Sequence, residues 1–546
     1  MTFFQYLSNI SQPPIPISIS VNFILLIFLI YFNRREIKKF LASIDKRTWL
    51  ILLLILVLGL SLRLFLPPKQ HIIFFDEPGY MLIAKNLLAE GRVGIEWDNP
   101  SSIGWPFILA ISFGIFGSGS ATAIYTSLIF GALTIFNIFL LGMVIFKNKD
   151  IALFSVFLFA FLPLHIRWSA SAGNNVISLF FITAALFFCF LYLDSKKYSL
   201  LWLALAAVFF AAQFRPENYI LPALFLVAIL IFDRLPSVEN WLKFSIPWMA
   251  TFLLALPNLT QVLGYQTSAN WIESDSARAM TGSNWSFYNL ISNTLDHGGN
   301  LFNGNYEPLI FIFLFAVGFL YLVKKDFRKA MFFFIWYLCF YFIYFFSWLQ
   351  TLGAGDRFYT TFYPVTALLA GVGIWIISQT ISKRFNWNPV KTYFLAAGII
   401  VFLFFSSVKN SSFLYAGIFE KWETDILETA KKEISPGCLI IARQTFPVQA
   451  ITDFRTLTIE ELLKRNLKID DGQCVVFFHD ISCDWPLRPG EIDWCAEMAS
   501  VYRLSPLIIE YLPEQYGSGR YNFKKTKAYG FYQVLNKGER KSETVR

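Results

Sequence analysis

The sequence predicts a polytopic α-helical membrane protein with a small α/β domain at its C-terminal end. Three observations carry that expectation. The 546 residues are 56% hydrophobic and 18% aromatic but only 15% charged, against about 45–50% apolar and about 25% charged in soluble globular chains. Apolar stretches near the length needed to cross a hydrocarbon core of about 30 Å recur along the chain, separated by short polar breaks. The basic residues are segregated into alternate breaks, which is the pattern of a membrane chain with a cytoplasmic side. A soluble protein is thereby excluded, and so is a disordered one, because 61 Phe, 24 Tyr and 16 Trp must be buried or placed in lipid.

Taken in order, the apolar stretches are 17–32, 48–66, 121–146, 151–166, 176–193, 198–213, 217–233, 243–257, 308–323, 330–349, 358–380 and 391–408, about twelve spans in all. The first is read as a span rather than a cleaved leader, since no basic region precedes it and another apolar run follows. Residues 105–118 are too short to cross and end in Gly117-Ser118-Gly119-Ser120, so they are read as an interfacial or re-entrant piece. With this choice the breaks 34–47, 147–149, 196–197, 234–243, 324–329 and 383–391 collect nineteen Lys or Arg, against seven in the much longer opposite set. The positive-inside rule then puts the first set in the cytoplasm. The loops 67–104 and 258–307, the short loops around Arg167, Arg215 and Arg357, and everything after 409 face outside. The multi-pass chain is expected in the cell membrane, with a net charge of +9 that reflects topology and not nucleic-acid binding.

Residues 1–47 supply a first span and a basic cytoplasmic loop, 48–408 the main membrane domain, and 409–546 a water-soluble domain. In the last, apolar runs at Cys438 to Ala442, Cys474 to Phe478, Leu507 to Tyr511 and Tyr529 to Leu535 alternate with helical patterns at Glu420 to Ile434 and Thr458 to Asn466. Strands alternating with helices suggest a small α/β layer, followed by a polar tail from Lys537 to Arg546. Four of the six cysteines lie here, at 438, 474, 483 and 495. An even number in an oxidising compartment permits disulfides, Cys483 with Cys495 most readily, but spacing alone leaves free thiols equally open.

Chemistry points to the outer side. Phe74-Phe75-Asp76-Glu77-Pro78-Gly79-Tyr80, continuing to Ala84, Leu88 and Gly91 and then Gly104-Trp105-Pro106, sets two adjacent carboxylates close to the outer end of a span among interfacial aromatics. Ionisable groups near membrane depth are costly and are usually kept for a purpose, although a solvated acidic loop would read the same way. Arg167 in His165-Ile166-Arg167-Trp168, Arg215 in Gln213-Phe214-Arg215-Pro216-Glu217 and Arg357 in Gly355-Asp356-Arg357-Phe358-Tyr359 each sit at an outer span end. One such arginine is explained by snorkelling to ordinary headgroups, and Arg63 is left to that explanation. Three on the side of an acidic pair point instead to bidentate binding of a lipid phosphate. A carboxylate could then act as general base for an acceptor hydroxyl while guanidinium groups neutralise the departing phosphate.

Asp76-Glu77-x-x-Tyr80 with Ala84 and Gly91, in the first large outer loop, resembles the Asp-Glu motif of the integral-membrane GT-C glycosyltransferases. The resemblance is to the branch holding the protein O-mannosyltransferases and the bacterial lipid A aminoarabinose transferases. Arg215-Pro-Glu217 and Arg357-Phe-Tyr-x-x-x-x-Pro364 are similar to its later outer-end motifs, so the likeness runs over about residues 48–408. It implies a GT-C fold and transfer of a hexose or related sugar from a polyprenyl-phosphate-linked donor to a protein, lipid or glycan acceptor. Asp76 would be the base and Glu77 its support, with Tyr80, His165, Arg167, Arg215, Glu217 and Arg357 on the substrates and Arg357 on the phosphate. Where many relatives carry an acidic residue about eight positions after the equivalent of Arg167, this chain has Asn174 and Asn175. No cofactor or metal is implied, because adjacent Asp-Glu lacks Asp-x-Asp spacing and no second ligand set accompanies it. The other reading of the composition is a transporter of about twelve spans, but the two halves show no repeat and the charges cluster at one face.

Overall fold

The computed structural model describes residues 14–69, 71, 76–93, 102–233, 238–266, 290–292, 294–295, 309–346, 355–410, 418–464, 473–484, 492–516 and 520–535. Phe74, Phe75, most of the loop 258–307 and the tail 537–546 lie outside them. The chain divides into two compact units: Met1–Gln70 with Asn86–Ala416, and His71–Lys85 with Gly417–Arg546.

The first unit is a helical assembly. Helices lie over each of the twelve apolar stretches: Pro14–Phe32, Lys46–Phe65, Ser120–Phe146, Lys149–Ala160 with Pro163–Ser169, Asn175–Ser195, Tyr198–Ala212, Leu221–Phe232, Val238–Gln266, Leu309–Lys325, Phe327–Phe346, Tyr363–Phe385 and Pro389–Asn410. Among the described residues, 7 helices are long and apolar enough to cross a membrane, or 8 if the pair Lys149–Ala160 and Pro163–Ser169, bent by 63°, is one span. Helix Gly104–Phe116 has 13 residues, short of a crossing. Local chemistry sets the ends. Asp45 and Asn148 accept from backbone N–H groups of the first turns that follow them, and Lys147, Lys196 and Asn386 close helices in the left-handed conformation.

Two features fix the inner packing of this unit. Helices Leu309–Lys325 and Tyr363–Phe385 touch through glycine: a Cβ on Gly318 would lie 1.9 Å from the Leu369 carbonyl oxygen, and one on Gly373 2.0 Å from that of Leu314. Small residues let helix backbones approach where lipid removes any hydrophobic drive to associate. At the bend before Pro163, the fully buried Arg63 donates to the Ala160 carbonyl at 3.2 Å and to Gly59 at 2.8 Å, and its Nη2 lies 2.7 Å from Nδ1 of His165. Proline cannot continue the hydrogen-bond ladder, and the guanidinium supplies a donor at the break. Arg63 is thus a buried partner of this bent helix pair rather than a side chain reaching for headgroups.

The second unit contains a five-stranded sheet in the order β2-β1-β3-β5-β4, with β1 Leu439–Ala442, β2 Arg455–Thr458, β3 Val475–His479, β4 Arg503–Tyr516 and β5 Arg520–Leu535. β1 is parallel to β2 and β3, whereas β5 is antiparallel to β3 and β4. Side chains alternate across the sheet. Ile440, Val476, Phe478 and Phe531 pack with Ile426, Leu427 and Ala430 of helix Ile418–Glu433 on one face. Ile441, Val475, Phe477 and Val534 pack with Leu462 and Met498 on the other. Gly530, at φ 141°, lets the β4 backbone approach where any Cβ would strike the Ile508 carbonyl. The four apolar runs fall on β1, β3, β4 and β5; the polar strand β2 was not legible as one. Both cysteine pairs are joined, Cys438 to Cys474 and Cys483 to Cys495.

Candidate active site

In the first unit two of the candidate residues, Arg215 and Arg357, gather around one ring. Arg215 is held extended just before the 3-10 turn Pro216–Ile220, and Arg357 lies in the 3-10 helix Gly355–Phe362. Their guanidinium carbons stand 4.9 Å and 5.0 Å from the centroid of the same side chain, Phe358. Each such stacking contributes about 0.5–2 kcal/mol as the site dries. Arg215 is 5% exposed; its Nε meets Glu217 Oε1 at 2.5 Å, and its Nη1 donates to the Asn175 side-chain oxygen. Glu217 also accepts from the buried Tyr344 hydroxyl at 3.1 Å, and that hydroxyl accepts from Thr361 at 3.2 Å. Three segments distant in sequence, at Asn175, Tyr344 and the 3-10 helix of Phe358 and Thr361, together with the neighbouring Glu217, therefore orient one guanidinium.

The turn that carries Arg215 is itself braced. Asn218 donates to the Ser178 hydroxyl at 2.8 Å and the Ala211 carbonyl at 2.9 Å. Gly104 N–H donates to the Gln213 carbonyl at 2.8 Å, an approach that leaves no room for a Cβ beside Phe214. The next residue, Trp105, is fully buried and donates from Nε1 to the Ala172 carbonyl at 2.7 Å. Gly104-Trp105 thus supports the chain just before Arg215 and just before Asn175. Arg167 lies beside Trp168 on helix Pro163–Ser169, which packs against the 3-10 helix of Arg357. His165, on the same short helix, is fully buried and faces Arg63.

Asp76, Glu77 and Tyr80 belong to the second unit. They open helix Asp76–Glu90, with both acids in its first turn, where carboxylates complement the positive end of the helix dipole and Pro78 costs no hydrogen bond. The two acids differ in setting. Glu77 is fully buried, its Oε2 2.8 Å from Nδ1 of the fully buried His71, while Asp76 is half-buried. A buried, fixed carboxylate suits support, and an accessible one suits proton transfer. Among the described residues no group of three His, Cys, Asp or Glu is placed to hold a metal ion.

Of the residues read from sequence, the structure gathers Arg215, Glu217 and Arg357, with Arg167 on an adjoining helix, and separately sets Asp76, Glu77 and Tyr80 on one helix. It adds Tyr344 and Thr361, which carry no sequence signal of their own, gives contacts to Asn175 and Phe358, which the sequence marks only as a departure from relatives and as the neighbour of Arg357, and pairs His71 with Glu77, for which the sequence gives no signal.

A family model described as dolichyl-phosphate-mannose-protein mannosyltransferase matches residues 98–265, a part of the chain that contains Arg167, Arg215 and Glu217. No curated protein matches the chain. Among solved structures, ArnT from Cupriavidus metallidurans bound to undecaprenyl phosphate is 13% identical, with 90% of this chain and 98% of that one covered and a TM-score of 0.53. Its apo state gives 13%, 89%, 97% and 0.52. The oligosaccharyltransferase of Archaeoglobus fulgidus, in complex with zinc and sulfate, is 14% identical over 74% of this chain, with a TM-score of 0.50; the chain spans 62% of that protein's length. At such identity the structural likeness speaks for the fold. The chain has the GT-C fold of integral-membrane glycosyltransferases and resembles the branch that holds the protein O-mannosyltransferases and ArnT.

Proposed function

We propose that this protein transfers a sugar, a hexose or a related residue, from a polyprenyl-phosphate-linked donor to a protein, lipid or glycan acceptor on the outer face of the cell membrane. Residues 48–408 form the catalytic membrane domain, which with the first span at 17–32 makes about twelve crossings, and 409–546 lie outside the cytoplasm. In the reaction the bond from the anomeric carbon to the donor phosphate breaks, a glycosidic bond to the acceptor forms, the acceptor proton passes to Asp76, and the polyprenyl phosphate leaves. Arg215 and Arg357 neutralise the phosphate as charge develops on it. Glu77 supports Asp76, while Tyr80, His165, Arg167 and Glu217 shape the substrate sites.

The observation that carries this reading is the pair of guanidinium groups on Phe358, one locked by Glu217 and Asn175. Such planar forks, pre-set in a site sheltered from water, suit an anionic headgroup whose lipid tail stays in the bilayer. The undecaprenyl phosphate bound to ArnT, a protein of like fold, supports the donor class. The two disulfides of the second unit support an oxidising, extracytoplasmic setting. The test is a purified, liposome-reconstituted protein offered labelled polyprenyl-phosphate sugars and candidate acceptors. Release of polyprenyl phosphate with label joined to acceptor is expected. Accumulation of unreacted substrate inside sealed vesicles, without covalent transfer, would show a transporter instead.

A further inference from the structure

The segment His71–Lys85 is compact with Gly417–Arg546, far along the chain, and a specific bond accounts for it. Lys85 Nζ donates to the Gln449 carbonyl at 3.1 Å and reaches Asp453 Oδ1 at 3.5 Å. Gln449 lies in the last turn of helix Phe446–Ile451, where carbonyls have no intrahelical partner and the helix dipole is negative. Lys85 is therefore a C-terminal cap for a helix 364 residues downstream. The side chain is 19% exposed, and burial pulls its ammonium below the ordinary lysine range, against the attraction of Asp453. A surface lysine would not accept that cost for a casual contact. Gln449 is tied in turn to Thr456 of β2 at 2.7 Å, and Asp453 also meets Lys431 at 3.6 Å. The bond thus ends on the sheet of the second unit. Lys85 stands on the same helix as Asp76 and Glu77, about 13 Å along its axis, too far to touch reacting atoms. Beyond the pair, Glu77 is fixed by His71 at 2.8 Å.

We propose that Lys85 is a positioning residue: by capping helix Phe446–Ile451 it anchors helix Asp76–Glu90 to the sheet-bearing C-terminal part of the chain, which thereby sets where the acidic pair stands. The proposal rests on the reading of Asp76 as the base. It makes residues 417–546 part of the catalytic apparatus.

Full-length protein in liposomes provides the test, with Lys85→Met, which keeps the apolar stem, Lys85→Arg, which keeps the cation, and Asp453→Lys, which brings a repelling charge from a side chain 78% exposed. For Lys85→Met and Asp453→Lys, kcat is expected to fall about 10- to 100-fold, the scale of a misplacement of about 1 Å, with donor KM held within about twofold and with Lys85→Arg restoring most of the rate. Amides of residues 76–84 are expected to exchange faster in both impaired variants while those of β1 and β3 keep their protection. Unchanged kcat, equal changes in kcat and donor KM, or no recovery with Lys85→Arg would overturn the proposal. If the unaltered protein transfers no sugar, the functional reading fails first; exchange at 76–84 still decides the anchor, and unchanged protection there rejects it.

Discussion

The pair Arg215–Glu217 offers a perturbation whose effects on stability and on function should separate. Both side chains are 6% exposed and 2.5 Å apart, so each charge depends on the other for compensation. Removing one partner of a buried pair costs about 3–5 kcal/mol because the remaining charge is stranded, whereas replacing both by apolar groups of similar volume is about neutral. Arg215→Met strands Glu217, although the Tyr344 hydroxyl still donates to it at 3.1 Å. Glu217→Leu strands Arg215 with Asn175 as its acceptor. The double variant Arg215→Met/Glu217→Leu strands neither. Thermal aggregation midpoints of the full chain in detergent should fall clearly for each single change and recover in the double. Donor affinity should not recover, because a charge-assisted bond of about 1.5–3 kcal/mol to the phosphate is gone, which is about 10- to 100-fold in Kd. The control is Lys464→Met, which removes an exposed i,i+4 pair with Glu460 expected to contribute about 0.5 kcal/mol. Singles no more damaging than this control, or a double variant that regains donor binding, would refute the reasoning.

Other perturbations test separate parts of the fold. Gly373→Ala places a methyl against the Leu314 carbonyl, 2.0 Å away and on backbone that cannot move aside; it should cost about 1–3 kcal/mol or more, seen as a lower aggregation midpoint, and an unchanged midpoint would contradict the packing described. Cys438→Ser should destabilise the sheet-bearing unit by about 2–5 kcal/mol and expose one new thiol, that of Cys474, to a maleimide probe, while Cys483 and Cys495 stay protected. Burial pushes the Asp480 carboxyl up to about 6 from 3.8. Its protonated form is favoured in the native state, so its stabilising contribution is full below about pH 4 and is lost as pH rises through about 6, roughly 3 kcal/mol in all. Asp480→Asn should therefore gain stability relative to the unaltered protein between pH 4 and 7. The comparison cancels the opposite trend of the neighbouring His479, which burial holds below the usual imidazole range. A difference independent of pH would show that Asp480 does not titrate there.

Apolar length and the alternation of strands with helices were legible because they are local. Periodicity placed a helix over every apolar stretch and found β1, β3, β4 and β5. It could not find β2, whose Arg-Thr-Leu-Thr gains its place from parallel pairing with β1 and not from apolar residues. Length and hydropathy support seven or eight crossings in the described residues, fewer than the twelve stretches, since short helices such as Tyr198–Ala212 are buried by neighbours and need not be long to be apolar. The arginines announced themselves because charge at the end of a span is conspicuous. Their partners did not. Tyr344 and Phe358 sit in aromatic-rich sequence where any ring reads as core, and their importance comes from contacts between segments more than 100 residues apart, such as Tyr344 with Glu217, a separation of 127. Arg63 was misread as snorkelling for the same reason: the bend at Pro163 that gives it an acceptor is a tertiary fact.

Donor binding and sugar transfer, measured side by side on reconstituted protein carrying Asp76→Asn, test the central claim most directly. Asparagine keeps the size of the side chain at the start of the acidic helix but cannot take a proton from the acceptor. The account predicts that labelled polyprenyl-phosphate sugar binds with unchanged affinity and that transfer to acceptor falls at least about 100-fold, the scale of general-base catalysis. Transfer at an undiminished rate would remove Asp76 from the chemistry and contradict the account.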